Sequence, residues 1–236
     1  MNQHRGHAIL FDLDGTLVDT AQDLANALNY LLETEGERQL PFEQIRPHAT
    51  HGTVALIKVG FDIDERDPRF QRFRQTILDR YLEHIADESV LFEGLEPLLE
   101  QLEHNGQPWG VVTNKPAFLT QPLLEQLNLW DRAAVVVSGD TLKQSKPDPA
   151  PLLYACEQIG RDPQASIYIG DAERDIRAGR AAGMHTITAH YGYIGQDEQP
   201  ENWGADSEVT HASQLAPMID KILNKIAAKS INHAHE

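Results

Sequence analysis

With 236 residues, 41% hydrophobic and 24% charged, the chain can bury a sizeable core and reads as a soluble globule, either one domain or a domain with an insertion. A formal charge of −16 argues against nucleic acid or an anionic membrane as partner, and the single cysteine, Cys156, excludes an internal disulfide and fits a cytoplasmic location. No apolar run approaches membrane-spanning length, and Met1–His7 lacks the apolar core of a signal peptide.

The first predicted element is a buried strand over Ala8-Ile9-Leu10, which runs into Phe11-Asp12-Leu13-Asp14-Gly15-Thr16. Side chains two apart on an extended segment share a side, so Asp12 and Asp14 are expected to face one small volume. Two carboxylates that close need a cation or a shared proton. Taken alone, the stretch reads equally well as an Asp-rich turn or helix cap. Residues 20–86 read as helical, with no buried strand. A helix follows Thr20 as N-cap and carries Leu24, Ala27, Leu28, Leu31 and Leu32; Pro41 and Pro47 punctuate what comes next. His51-Gly52-Thr53 opens a short helix ending near Gly60, and Phe70–Ile85 forms another, with Phe73, Ile77, Leu78, Tyr81 and Leu82 on its apolar side.

From about residue 95, helices (95–104, 118–127, 150–160, 176–182) alternate with short apolar strands (109–113, 134–138, 167–169, 185–188). That alternation predicts an α/β fold, a parallel sheet with helices on both faces and ligands at the carboxyl ends of its strands. Polar signals fall at those ends: Thr113-Asn114, then Lys146 in the loop Ser145–Pro149, then Gly170-Asp171 with Asp175 four residues on. Several carboxylates, a hydroxyl and a lysine suit Mg²⁺ with phosphate. The eleven histidines show no zinc-ligand spacing. Lys115 reads as a solvated charge or one facing the residues 20–86 block, Arg174 as an exposed helix residue rather than a ligand, with its loop position leaving room for a supporting role behind the site, and Cys156 as a buried helix residue. Ser230–Glu236 reads as a frayed tail with solvated histidines.

In this order the motifs Asp12-Leu13-Asp14-Gly15-Thr16, Thr113-Asn114, Lys146 and Gly170-Asp171 with Asp175 resemble those of the haloacid dehalogenase-like superfamily of phosphohydrolases. Thr113-Asn114-Lys115-Pro116 and Lys146-Pro147-Asp148-Pro149-Ala150-Pro151 are similar to its phosphoglycolate-phosphatase group. Tyr191-Gly192-Tyr193-Ile194 and Asn202-Trp203-Gly204-Ala205-Asp206 resemble the N-acetylmuramic acid 6-phosphate phosphatases, from which His51-Gly52 departs where those have Gly-Gly. The resemblance implies a Rossmann-like doubly wound core (1–18 and 92–236) carrying an inserted small α-helical cap (19–91), with hinges near Val18–Thr20 and Leu91–Gly94.

It also implies roles. Asp12 would be the nucleophile and Asp14 the acid/base; a dehalogenase is not expected to carry an Asp at position 14. Mg²⁺ would be held by Asp12, the Asp14 carbonyl and Asp171, with Asp175 either in the outer shell or simply a first-turn helix acid. Thr113 and the Asn114 N–H would hold phosphoryl oxygens, and Lys146 would neutralise them. In the cap, His51, Gly52 and Thr53 would read a small-molecule phosphomonoester, while Tyr191, Tyr193 and Trp203 read as packing. The substrate expected is N-acetylmuramic acid 6-phosphate or 2-phosphoglycolate. A phosphosugar mutase of the same superfamily, and a phospho-acceptor signalling receiver domain, remain alternatives; oligomeric state is left open.

Overall fold

Strand β1 (Ile9–Phe11) is fully buried on both sides. Ile9 and Phe11 enter one apolar core, while Ala8 and Leu10 enter another. The same alternation recurs in β4 (Trp109–Val112), where Trp109 and Val111 oppose Val112, and in β6 (Ile167–Gly170), where Ile167 and Ile169 oppose Tyr168. A sheet with two apolar faces must be covered twice. The computed structural model, which describes residues 6–233, covers it in this way.

Among the described residues the main sheet has six parallel strands in the order β5-β4-β1-β6-β7-β8, with β5 at Val135–Val137, β7 at His185–Ala189 and β8 at Ser207–Val209. Helices α7 (Ala150–Gln158) and α8 (Glu173–Ala181) supply the core on one face. Helices α5 (Leu95–His104), α6 (Ala117–Gln126) and α9 (Leu215–His233) supply the other. In α5 the buried residues Leu95, Leu98, Leu99 and Leu102 form the stripe that helical spacing demands.

The chain leaves the sheet at β2 (Val18–Asp19) and returns at β3 (Val90–Leu91), and these two crossings pair antiparallel with each other. Between them lie α1 (Ala21–Thr34), α2 (Phe42–Ile45), a 3-10 turn (Arg46–His51), α3 (Gly52–Phe61) and α4 (Phe70–Glu83). Leu24, Leu28 and Leu31 of α1 share a core with Phe73, Ile77 and Tyr81 of α4. Asp23, buried in the first turn of α1, accepts from the Ser89 N–H (2.9 Å) and Ser89 hydroxyl (2.6 Å) and so ties the block to its exit crossing.

Four elements were not anticipated from sequence. Strands β2 and β3 have two residues each, too few for a period, and β8 contains one apolar residue. Helix α9 carries Pro217 in its first turn, where a missing N–H costs nothing, and buries Leu215, Ile219 and Ile222. It also continues through Ser230–His233, the first part of the tail expected to fray; Met1–Arg5 and Ala234–Glu236 lie outside the described residues. Thr20 stands at the N-cap of α1, but its hydroxyl does not cap the helix; it donates to Asp14 Oδ1 at 2.6 Å.

Candidate active site

Strands β1, β4 and β6 run side by side, with Phe11 level with Val111 and Ile169. Asp12, Thr113 and Asp171 therefore emerge together at the carboxyl edge of the sheet, where open α/β folds bind ligands. The Asp12 N–H donates to Ile169 O (2.9 Å) and the Thr113 N–H to Val137 O (2.9 Å), which extends the ladder by one residue into the site.

Three buried carboxylates gather there. Asp12, Asp171 and Asp175 each place an oxygen within 4.8 Å of the others. Lys146, its side chain wholly buried, reaches Asp12 Oδ1 at 2.8 Å and Asp175 Oδ1 at 2.7 Å. Its Nζ also lies 2.9 Å from Val112 O and 2.8 Å from the Tyr168 hydroxyl. The lysine is held from behind by Asn114, whose side chain accepts the Lys146 N–H and donates to the Lys146 carbonyl, both at 3.0 Å. Asp12 Oδ1 also accepts the Leu13 N–H (2.8 Å). Its Oδ2 carries no hydrogen bond to the protein among the described residues.

One lysine does not neutralise three carboxylates. Burial raises the Asp12 carboxyl above its ordinary range, the Asp175 charge adds to this, and Lys146 and Arg174 oppose it. Asp171 is pushed up to about 8, first by burial and then by Asp12 and Asp175, although the Tyr193 N–H (2.9 Å) and Thr16 hydroxyl (3.0 Å) both donate to it. Gly15, at φ 84°, lets the first loop pass over Asp171: a Cβ there would lie 2.3 Å from Asp171 Oδ2. Asp175 has two attachments, since its Oδ2 also accepts the Ala172 N–H (3.0 Å) at the start of α8. It is both a member of the cluster and a helix-start acid.

Asp14 does not join this cluster. The chain turns after Asp12 rather than continuing extended, so the two side chains line one cavity but meet different partners. Asp14 Oδ1 accepts from Thr20 Oγ1 and, at 2.8 Å, from Lys115 Nζ. Of the two readings of Lys115, the solvated one is wrong. Its side chain is buried, its Nζ donates to the Tyr81 hydroxyl of α4 (2.9 Å), and it sits over the Tyr81 ring. Arg174 is likewise not an exposed helix residue. It crosses to the helical block, where Nη2 donates to Thr50 O and Thr50 Oγ1 (2.8 Å) and Nη1 lies 3.1 Å from His51 Nδ1. His51 Nε2 in turn lies 3.3 Å from Glu198.

Above the carboxylates is a cavity of about 330 Å³. Its sheet side is lined by Asp12, Asp14, Thr113, Asn114 and Lys115, and its helical side by His51, Gly52, Thr53 and the stripe Arg74, Ile77, Leu78 and Tyr81 of α4. The expected site residues thus meet around one space, apart from Lys146 and Asp171, which stand beneath it. Tyr81 and Arg74 were not singled out as site residues; their places three and four residues from Ile77 and Leu78 were the available signal. Trp203 is buried packing, as expected; Tyr193 is buried too, but it does more than pack, since its N–H donates to Asp171 and its hydroxyl bonds Asp19, Thr20 and Ala21; Cys156 is buried in α7. Among the described residues, no helix is long and apolar enough to cross a membrane.

The family model for haloacid dehalogenase-like hydrolases matches residues 9–189. The chain belongs to the haloacid dehalogenase-like hydrolases. Curated relatives that the chain matches at about 40% identity are named phosphatases, and this chain is a phosphatase. It is 40% identical over 223 residues to the N-acetylmuramic acid 6-phosphate phosphatase of Pseudomonas aeruginosa, covering 94% of this chain and 99% of the relative. It is 42% identical over 211 residues to the phosphoglycolate phosphatase of Xanthomonas campestris pv. campestris, covering 88% and 94%. Among solved structures, a predicted phosphoglycolate phosphatase from Haemophilus somnus 129pt superposes with a TM-score of 0.80 at 26% identity, covering 92% of this chain and 99% of that one. Membership of this hydrolase family removes the receiver-domain alternative.

Proposed function

We propose that this phosphatase is a Mg²⁺-dependent phosphomonoesterase that forms an aspartyl-phosphate on Asp12 and acts on a small phosphorylated acid, N-acetylmuramic acid 6-phosphate or 2-phosphoglycolate. The observation that carries the reading is Asp12 itself, at the floor of the cavity between the sheet and the helical block, with one oxygen fixed by Lys146 and the other unengaged. Residues 19–91 act as a cap, and the β2–β3 ribbon is where it joins the core.

Asp12 Oδ2 attacks phosphorus; the phosphorus–ester bond breaks and its electron pair leaves with the alkoxide oxygen. Asp14 supplies the proton to that oxygen. With Oδ1 held by Thr20 and Lys115, Oδ2 is the oxygen that carries it. In the second step Asp14 takes a proton from water, which attacks phosphorus and releases the Asp12 carboxylate and inorganic phosphate. Thr113 and the Asn114 N–H bind phosphoryl oxygens, and Lys146 stabilises charge growing on them.

The donor set fits Mg²⁺: oxygen atoms only, buried, and with more negative charge than Lys146 offsets. Asp12, Asp171 and the Asp14 carbonyl would hold the ion. When bound, it supplies positive charge that offsets repulsion between the carboxylates and the phosphate. Asp175 orients Lys146 and the Asp171 loop. His51, Gly52 and Thr53 contact the part of the substrate beyond the phosphate.

A phosphate-release assay tests this across both acids, hexose phosphates and nucleotides, with and without Mg²⁺, with product analysis of each sugar phosphate. Free inorganic phosphate from an acid substrate, only with the metal, is expected. Rearranged phosphate without release would indicate a mutase instead, and faster turnover of a neutral hexose phosphate or nucleotide would remove the acid-substrate claim.

A further inference from the structure

The Lys and Arg side chains that line the cavity are Arg74, Lys115 and Arg174. Two are already engaged. Lys115 is paired with Asp14 and Tyr81, and Arg174 is tied to Thr50 and His51. Arg74 is exposed and, among the described residues, has no ion pair or hydrogen bond, although the chain carries 36 acidic residues against 20 Lys and Arg. A cation at the wall of a ligand cavity with no acidic partner is available to an anionic ligand.

Its place along α4 adds a distance. Arg74, Ile77, Leu78 and Tyr81 follow the i, i+3, i+4, i+7 pattern and all line the cavity. Tyr81 marks the reacting end, because its hydroxyl accepts from the Lys115 amine that holds Asp14. Arg74 lies seven residues earlier, about 10 Å along the axis at the rise of an α-helix. Side chains on a helix lean toward its N-terminus, which carries the guanidinium further from Tyr81. Between the two stand Ile77 and Leu78, an apolar step suited to the carbon face of a ring or an acyl methyl group.

We infer that Arg74 is a specificity residue that binds a substrate carboxylate held a sugar ring's width from the phosphate. The inference rests on the acid-substrate reading above and narrows it. In 2-phosphoglycolate the carboxylate is one methylene from the ester oxygen, too near to reach Arg74 while the phosphate lies on Asp12. In N-acetylmuramic acid 6-phosphate the phosphate is on C6 and the lactyl ether on C3, which sets the carboxylate several bonds further from the phosphate, beyond an edge of the pyranose ring. Arg74 therefore selects the phosphorylated sugar acid.

The test compares kcat/KM of the full-length protein and R74Q on N-acetylmuramic acid 6-phosphate, on N-acetylglucosamine 6-phosphate, which is the same ring without the lactyl acid, and on 2-phosphoglycolate. A melting curve checks that R74Q is folded, and R74K tests rescue by charge. The wild-type protein should prefer the lactyl-bearing sugar over its neutral counterpart. R74Q should lose about ten- to a hundredfold on that sugar alone, the worth of a hydrogen bond to a charged group, chiefly in KM, with the other two substrates little changed. R74K should recover part of the loss. If the wild type shows no preference for either acid, the acid-substrate reading falls and Arg74 with it. If the wild type prefers the sugar acid and R74Q keeps that preference, or if R74Q loses equally on all three substrates, the role of Arg74 alone is refuted. A loss confined to 2-phosphoglycolate refutes the distance.

Discussion

The Tyr193 hydroxyl caps the helix that begins at Thr20. It accepts the Thr20 N–H at 2.6 Å and the Ala21 N–H at 3.0 Å, and donates to Asp19 Oδ1 at 2.8 Å. A helix start leaves N–H groups without partners, and a side chain usually supplies the acceptor from the residue before. Here the acceptor comes from a loop more than 170 residues away, and the local Thr20 hydroxyl is free to hold Asp14. The first helix of the inserted block, α1, is thereby fixed to the core beside Asp14, the proposed acid/base.

Tyr193→Phe should remove this cap without changing the packing of a fully buried ring. Two N–H groups lose their acceptor, which costs about 2 kcal/mol. Melting should fall by roughly 5 °C for a chain of this size. Because Thr20 positions Asp14, kcat should fall as well. An unchanged melting temperature would show that water replaces the phenol without loss.

Asp12→Asn keeps the shape of the proposed nucleophile and removes its charge. Turnover should fall by at least about a thousandfold, since the covalent route is lost. Without metal the variant should melt no lower than the wild type, because the ionised Asp12 is disfavoured by burial and by Asp175. Substantial steady-state activity would move the nucleophile elsewhere.

Metal binding should depend on pH through Asp171. Its carboxyl sits near 8 in the folded chain against an ordinary value of 3.8, so the native state holds a proton that the unfolded state has released. The resulting stability is full below about 4 and is lost as pH rises through about 8. A cation needs the ionised form, so Mg²⁺ binding below pH 8 displaces that proton and is weaker there. Calorimetry at pH 6.5 and 8.5 should find tighter binding at the higher pH, and Mg²⁺ should raise the melting temperature more at 8.5. Equal affinities would mean that Asp171 is ionised throughout.

The core of this site was legible because its residues lie at ends of strongly apolar strands. Asp12, Thr113 and Asp171 follow β1, β4 and β6, whose buried runs announce themselves. The helical block was legible from its spacing. The solvated reading of Lys115 and the exposed reading of Arg174 failed because their partners, Asp14 and Tyr81 for one and Thr50 and His51 for the other, lie up to 124 residues away. A charged residue beyond a strand end or in a first helical turn reads locally as solvated, and only the packing of the helical block over the sheet edge covers it. Tyr193 as a helix cap was invisible for the same reason: capping is read from the preceding residue, and Thr20 looked sufficient.

Lys115 gives the last prediction. Its amine is the only Lys or Arg nitrogen within bonding distance of Asp14 among the described residues. Lys115→Met should free Asp14 Oδ1 from that contact and remove the link to Tyr81, so the proton donor loses its fixed orientation. The effect belongs to the leaving group. A sugar or glycolate alkoxide is a poor leaving group and needs the proton as the ester bond breaks, whereas a nitrophenolate does not. Kcat on a sugar phosphate should therefore fall by about ten- to a hundredfold, with a much smaller change on p-nitrophenyl phosphate. Asp14→Asn should show the same contrast more strongly, because it removes the donor itself. Equal losses on both substrates would place Lys115 with the phosphoryl group rather than with the acid.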